Sequence, residues 1–184
     1  MSAPQAPFSV EQALLGPVRW RASHAVVAHV RQASIGKIHP NNTHPFVYER
    51  WTFAHNGTLR DFANAQTALE EQIAPRFRAL MIGETDSERC FYLFLTLLER
   101  MSSLEQPTVD EVACALATTV QIASELTDKP THPKPTSTNF LVTDGRLMVA
   151  ARRNRTLFFS EQKKKDSGVA DPPKEGMRLE QFVI

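Results

Sequence analysis

Two β-rich segments in the first third of the chain constrain its fold more than any other feature of the sequence. Residues 25–30 are apolar except for one histidine and are followed by Arg31. Residues 46–54 are rich in aromatic and β-branched side chains and are followed by a His-Asn-Gly run at residues 55–57. Because such compositions are typical of strands, we predict a strand at each segment, with polar residues where each strand ends.

The residues that follow these strands are suited to holding a small charged molecule. Arg31 offers a planar guanidinium that can grip a carboxylate with two parallel hydrogen bonds. Asn56 offers a side-chain amide N–H, and Gly57 offers a backbone N–H that no side chain shields. Such donors are the parts of an oxyanion hole for acyl transfer. The plainer alternatives are a surface arginine at a strand end and a tight Asn-Gly turn.

The middle of the chain has helical periodicity. Residues 61–73 carry apolar side chains at helical spacing. Thr85 with Glu88, and Thr108 with Glu111, each match the capping box that opens a helix, and an apolar stripe follows both pairs. The short link between the last two helices predicts that they form an antiparallel pair.

The last third of the chain predicts antiparallel strands. An Asp-Gly dipeptide flanked by the β-rich residues 139–142 and 146–151 is a strong hairpin signal. Further strands are predicted at residues 156–160 and 182–184. Strands followed by helices and then by more strands indicate the α+β class.

Four short motifs, taken together, resemble one enzyme family. HVRQAS begins at His29, NTHPF at Asn42, AHNG at Ala54 and GETDSE at Gly83, in an order and spacing similar to those of class II glutamine amidotransferases, especially the short stand-alone type. The resemblance implies a four-layer α-β-β-α sandwich of antiparallel sheets, the N-terminal nucleophile hydrolase fold. It implies one such domain over residues 1–184, incomplete at both ends.

The resemblance also implies a substrate and the residues that bind it. In this family the arginine of the first motif binds the α-carboxylate of L-glutamine, which assigns that role to Arg31, with Ser34 as a secondary donor. The matching aspartate, Asp86, holds the α-ammonium group, and we place His44 with the substrate-binding residues. A site that binds the carboxylate at Arg31 and the ammonium group at Asp86 would select a free amino acid. Asp86 also follows a predicted helix cap, where the helix dipole stabilises a carboxylate.

The expected reaction is hydrolysis of the side-chain amide of glutamine to glutamate and ammonia. The resemblance assigns Asn56 and Gly57 to the oxyanion hole. The family's nucleophile is an N-terminal cysteine whose α-amine serves as the base, and we expect it upstream of Met1. Ser2 is a poor substitute because the proline-containing residues 3–7 do not suit a buried first strand.

The two cysteines of the chain, Cys90 and Cys114, fall on apolar faces of predicted helices, without a free amine. We expect free thiols rather than a disulfide. This chain alone is therefore expected to bind glutamine weakly and to turn over nothing. The alternative is a catalytically dead relative that serves as a ligand-binding or structural subunit.

Composition excludes several other classes. A formal net charge of +1 gives no electrostatic case for nucleic acid or an acidic membrane surface, and no apolar run is long enough for a membrane span. The histidines at 29, 39, 44 and 55 match no zinc spacing, so we expect neither a metal nor another cofactor. We expect a cytoplasmic protein whose partners are L-glutamine and an unidentified ammonia-accepting enzyme.

Overall fold

The computed structural model describes residues 25–29, 39–130, 134–161 and 180–183. A short 3-10 turn at Pro40–Asn42 precedes the regular elements. The strands are β1 Phe46–Tyr48, β2 Trp51–Thr58, β3 Ser137–Thr143, β4 Met148–Arg153, β5 Phe158–Glu161 and β6 Glu180–Val183. The helices are α1 Phe62–Glu71, α2 Pro75–Arg78, α3 Asp86–Met101 and α4 Val109–Thr127.

The first four strands form one antiparallel sheet in the order β1-β2-β3-β4, and β5 pairs with β6 in a separate two-stranded ribbon. Helix α3 packs on one face of the larger sheet through contacts between aromatic rings. Phe53 of β2 lies 5.4 Å from Phe91 between ring centroids, and Trp51 lies 5.4 Å from Phe94. Since side chains alternate across a strand, every second residue of β2 faces α3.

The helices α3 and α4 begin at caps that the sequence indicates. Thr85 accepts a hydrogen bond from the backbone N–H of Glu88, and Thr108 and Glu111 form the complete reciprocal capping box. We predicted that the carboxylate of Glu88 returns the bond to the backbone of Thr85, and this is wrong. The carboxylate accepts from the backbone N–H groups of Ile82 and Gly83 in the preceding loop instead. Burial of nearly all of α3 makes it the centre of the core.

The predicted strand over residues 46–54 is wrong in one respect, because these residues form a hairpin. Tyr48 pairs with Trp51 across a two-residue turn in which Glu49 has a φ of 52°. The strand β2 then continues through Thr58, so the His-Asn-Gly run lies inside a strand and not beyond its end.

Other predictions have mixed outcomes. The α+β class with antiparallel sheets is confirmed, as is the hairpin of β3 and β4 around Gly145. Within the described residues 25–29, no strand is present where one was predicted. Cys90 is buried as expected, but Cys114 is exposed; both are free thiols. No helix in the described part of the chain is long and apolar enough to cross a membrane.

Candidate active site

The best-defined polar centre surrounds Asp86, the first residue of α3. Its Oδ2 accepts a hydrogen bond from the backbone N–H of Leu59 at 2.9 Å, and its Oδ1 accepts from the backbone N–H of Ser87 at 2.8 Å. The residue is only 4% exposed. A carboxylate at a helix N-terminus with two N–H donors is held in one orientation. Carboxylate oxygens have further lone pairs, so this group can still accept from a bound cation.

His55 connects the strand β2 to this carboxylate. Its Nδ1 lies 2.9 Å from Oγ of Ser87, and that oxygen lies 3.3 Å from Oδ1 of Asp86. Nε2 of His29 lies 3.0 Å from the backbone carbonyl oxygen of His55. Burial lowers the pKa of His55, and the nearby charge of Asp86 opposes that shift only in part. The ring is therefore a neutral hydrogen-bonding group at neutral pH.

Gly57 lies where the backbones of β2 and β3 leave no space for a side chain. A Cβ atom built on it would lie 2.5 Å from Nε2 of His55 and closer still to the carbonyl oxygen of Ser137. This packing explains the glycine without any ligand.

Asn56 points to the face of β2 opposite His55, because neighbouring strand residues alternate. It is partly exposed and pairs in register with Asn139 of β3. The side-chain amide N–H of Asn139 donates to the carbonyl oxygen of Thr156 at 2.6 Å, so its Oδ1 points elsewhere. That oxygen is buried and has no hydrogen bond within the described residues. Sequence reasoning missed Asn139, for which an internal asparagine in a β-rich run was the only signal.

His44 joins the same region through ring contacts. Its ring centroid lies 4.2 Å from that of His29, 4.8 Å from that of Phe46 and 6.5 Å from that of His55. The side chain is buried. Among the described ranges 25–29, 39–130, 134–161 and 180–183, no three His, Cys, Asp or Glu side chains are arranged to hold a metal ion.

Asn42 binds the loop before Asp86 to the segment before β1. Its Oδ1 accepts from the backbone N–H of Glu84 at 2.8 Å, and the residue is buried. A Cβ on Gly83 would lie 2.7 Å from the same oxygen, so glycine is needed for this close approach. The NTHPF and GETDSE motifs are therefore adjacent in space, a role for Asn42 that the sequence did not indicate.

A buried ion network supports this loop from its other side. The guanidinium of Arg89 donates to Glu88 at 2.9 Å, to Glu70 at 3.0 Å and to the carbonyl oxygen of Gly83 at 2.6 Å. Glu88 also accepts from the backbone N–H of Gly83. Arg89 and Glu88 are both almost completely buried, so each charge depends on the other for compensation.

The structure thus places His44, Gly57 and Asp86 around the His55 ring, whereas the side chain of Asn56 lies on the other face of β2. Arg31 and Ser34, the other predicted substrate-binding residues, lie outside the described residues. Neither cysteine belongs to this centre as a reactive thiol. Burial, followed by the charge of Asp86, raises the pKa of Cys90 well above its ordinary value, and Cys114 lies exposed on α4.

Comparison with known proteins adds an independent finding. The family model for class II glutamine amidotransferases matches residues 4–164. The chain is 35% identical over 132 residues to YafJ of Escherichia coli strain K12, covering 70% of this chain and 45% of that protein. It is 32% identical over 139 residues to "Probable glutamine amidotransferase DUG3" of Saccharomyces cerevisiae, covering 71% of this chain and 39% of that protein. The full name of the Escherichia coli protein is "Putative glutamine amidotransferase YafJ".

A solved structure also matches. It is that of a glutamine aminotransferase class-II domain protein from Silicibacter pomeroyi, with 28% sequence identity and a TM-score of 0.48. The match covers 66% of this chain and 55% of the other. The chain spans less than half of the length of the two curated relatives above.

Proposed function

Because the chain belongs to the class II glutamine amidotransferase family, we propose that it binds L-glutamine for hydrolysis of the side-chain amide to glutamate and ammonia. The observation that carries this proposal is the fixed, buried carboxylate of Asp86 beside the His-Asn-Gly run of β2. A buried carboxylate in that position suits a cationic ligand group. The contact between His55 and Ser87 also brings two of the family motifs, AHNG and GETDSE, side by side.

Substrate recognition would use two opposite charges. Asp86 would accept hydrogen bonds from the α-ammonium group on the lone pairs that Leu59 and Ser87 leave open. Arg31 would bind the α-carboxylate through its planar guanidinium, with Ser34 as a second donor. An amino acid with both groups binds to both grips, whereas an analogue that lacks either group leaves one charge unpaired.

The chemistry would follow nucleophilic catalysis. The thiolate of an N-terminal cysteine attacks the amide carbon, and the thiol proton, taken up by the α-amine, passes to the amide nitrogen, which leaves as ammonia. Water then hydrolyses the thioester, which releases glutamate and restores the thiol. Donors from Asn56 and Gly57 would stabilise the negatively charged oxygen of each tetrahedral intermediate. This nucleophile is neither of the two cysteines in the 184 residues. We therefore propose that these residues on their own bind glutamine without hydrolysing it.

Calorimetric titration of the 184-residue protein tests the recognition step. L-glutamine should bind, D-glutamine should bind less tightly, and two analogues should bind weakly: glutaramate, which lacks the α-ammonium group, and 4-aminobutanamide, which lacks the α-carboxylate. Equal affinity for L-glutamine and glutaramate would exclude the role given to Asp86. Ammonia release by the same protein would contradict the proposed need for another nucleophile.

A second function remains for comparison, namely a catalytically inactive relative that binds a ligand or serves as a structural subunit. It shares the binding step and differs only in the nucleophile. The DNA upstream of the Met1 codon separates the two: an in-frame Met-Cys start supports hydrolysis, and its absence supports the inactive relative. The two free cysteines agree with a reducing compartment, so we place the protein in the cytoplasm.

A further inference from the structure

We propose that Ser87 and His55 are positioning residues, which together hold the Asp86 carboxylate and the Gly57 backbone in a fixed relation. The inference rests on the proposed function, because Asp86 and Gly57 are the two groups to which that function gives a role in binding and catalysis. It adds a physical link between them. The link is the hydrogen-bonded series from the His55 ring through the Ser87 hydroxyl to Asp86.

The direction of these hydrogen bonds follows from what each group can donate. A carboxylate accepts only, so the Ser87 hydroxyl donates to Oδ1 of Asp86. The Ser87 oxygen can then accept from His55, which places the ring proton on Nδ1. Nε2 is then a buried lone pair. In the opposite tautomer a proton on Nε2 would donate to the carbonyl oxygen of Ser137, and the Ser87 hydroxyl would donate to Nδ1 instead of Asp86. We assign the first tautomer because a hydrogen bond from a hydroxyl to a carboxylate is stronger than one to a neutral acceptor.

The second part of the link is packing. The His55 ring occupies the space beside Gly57, since a Cβ at residue 57 would lie 2.5 Å from Nε2. On its other side the ring meets Phe140 edge-on, with centroids 4.7 Å apart. Ser87, Phe140 and the strand backbone surround the ring, so a rotation of the ring would change the packing beside Gly57. The hydroxyl of Ser87 therefore helps to fix two positions. One is that of the Asp86 carboxylate, which is proposed to bind the ammonium group, and the other is that of Gly57, which is proposed to bind the amide oxygen.

A ligand-free measurement tests the hydrogen-bond direction. Long-range ¹H–¹⁵N correlation spectra of the 184-residue protein should show a pyrrole-type Nδ1 and a pyridine-type Nε2 for His55. In Ser87→Ala the single tautomer should be lost, and in Ser87→Thr, which keeps the hydroxyl, it should be retained. A pyrrole-type Nε2 in the unsubstituted protein overturns the inference, whatever the protein binds.

Binding of L-glutamine tests the consequence. Ser87→Ala should weaken binding by about tenfold, the effect of losing one hydrogen bond to a charged group, and Ser87→Thr should bind within about twofold of the parent. Ser124→Ala is the matched control, because Ser124 is a buried helical serine whose hydroxyl donates to the Val120 carbonyl. Equal affinity of Ser87→Ala and Ser124→Ala would overturn the positioning role.

The ring is tested by two substitutions of His55. In His55→Asn the side-chain N–H takes the place of Nδ1–H, whereas in His55→Gln the amide lies nearer the place of Nε2. The His55→Asn protein should therefore bind L-glutamine more tightly than the His55→Gln protein does, when both variants are compared at temperatures below their unfolding transitions. The reverse order would contradict the role given to the contact between Nδ1 and Ser87. If the unsubstituted protein binds no L-glutamine, the proposed function fails, while the tautomer still decides the link.

Discussion

The backbone N–H of Leu59 donates to Oδ2 of Asp86 at 2.9 Å, although 27 residues separate them. Leu59 directly follows β2, and Asp86 begins α3, so this hydrogen bond joins the end of a central strand to the start of the most buried helix. The two motifs that supply the proposed oxyanion hole and the proposed ammonium site are therefore parts of one rigid contact.

Asp86→Asn should reduce both stability and ligand affinity. The amide has one acceptor oxygen where the carboxylate has two, so either Leu59 or Ser87 loses its acceptor; we expect a loss of about 2 kcal/mol in the free energy of unfolding. L-glutamine should bind at least about tenfold more weakly, because a charged hydrogen bond is lost. Urea unfolding and calorimetry measure the two effects.

The control for Asp86→Asn is Asp110→Asn. Asp110 lies in the first turn of α4, so it shares the favourable interaction with a helix N-terminus, but it is exposed. Its substitution should cost below about 1 kcal/mol and should leave binding unchanged. If the two variants behave alike, Asp86 is only a helix-start acid, and its assignment to the ammonium group is wrong.

Gly57→Ala should destabilise the protein through a steric clash. The new Cβ would lie 2.5 Å from Nε2 of His55 and would collide with the Ser137 backbone, which a rotation of a side chain cannot relieve. Overpacking of this kind costs about 1–3 kcal/mol. Gly145→Asn is a suitable comparison, since Gly145 has a φ of 84° with open space around it, and asparagine tolerates that conformation. Thermal unfolding should separate the variants clearly.

Elements whose ends are set by local chemistry could be predicted from the sequence. Thr108 and Glu111 form their capping box, and the Asp-Gly turn forms its hairpin, because each needs only residues close in the chain. The sequence likewise predicts Asp86 as the first residue of its helix, and α3 begins there. The turn at Glu49 was missed because a non-glycine residue adopts positive φ there, without the Asn-Gly signal of such turns.

The contacts that assemble the candidate site could not be predicted. Periodicity indicates which face of β2 or α3 is buried, but it does not show which side chain is met 27 or 32 residues away. The partnerships of His55 with Ser87 and of Asn42 with Glu84 depend on the packed structure. The binding and catalytic roles of all six predicted site residues stay predictions: Arg31, Ser34, His44, Asn56, Gly57 and Asp86.

Arg89→Met should be among the most destabilising single changes in the loop before α3. It removes the cation that the buried Glu88 carboxylate faces, and leaving one member of a buried pair uncompensated costs about 3 kcal/mol. Arg76→Met is the control. Arg76 pairs with Glu99 where both side chains are well exposed, so its loss should cost below about 1 kcal/mol. Equal losses in urea unfolding would refute a special role for Arg89.

Stability should fall as pH drops below about 6.5 because of His55. Burial lowers its pKa in the folded protein below the ordinary 6.5, so in this range the unfolded chain takes up a proton that the folded protein does not. The contribution is complete above pH 6.5 and is lost at up to about 1.4 kcal/mol per pH unit, until the folded pKa is reached. Urea unfolding between about pH 8 and about pH 5, a range that brackets the ordinary histidine pKa, measures this slope.

His55→Asn isolates this effect, because it removes the titrating ring. The difference in unfolding free energy between the parent and the variant should shrink as the pH falls. Carboxylates titrate at lower pH and do not interfere in this range. For Asp144, burial raises the pKa, but hydrogen bonds from the N–H groups of Leu147 and Arg146 outweigh burial and hold the pKa below its ordinary 3.8. A difference that stays constant over this range would mean that His55 titrates normally in the fold.

The two thiols should differ sharply in reactivity. Cys114 is exposed on α4 and should react with Ellman's reagent in the native protein, whereas Cys90 is buried in α3 and should react only after unfolding. The release of one equivalent of thiolate in buffer and two in denaturant is expected, and Cys114→Ser should abolish the native reaction. Burial and the charge of Asp86 both disfavour the thiolate of Cys90, so it is unsuited to attack an amide. Native ammonia release that Cys90→Ala abolishes would overturn the proposal that the nucleophile is another residue.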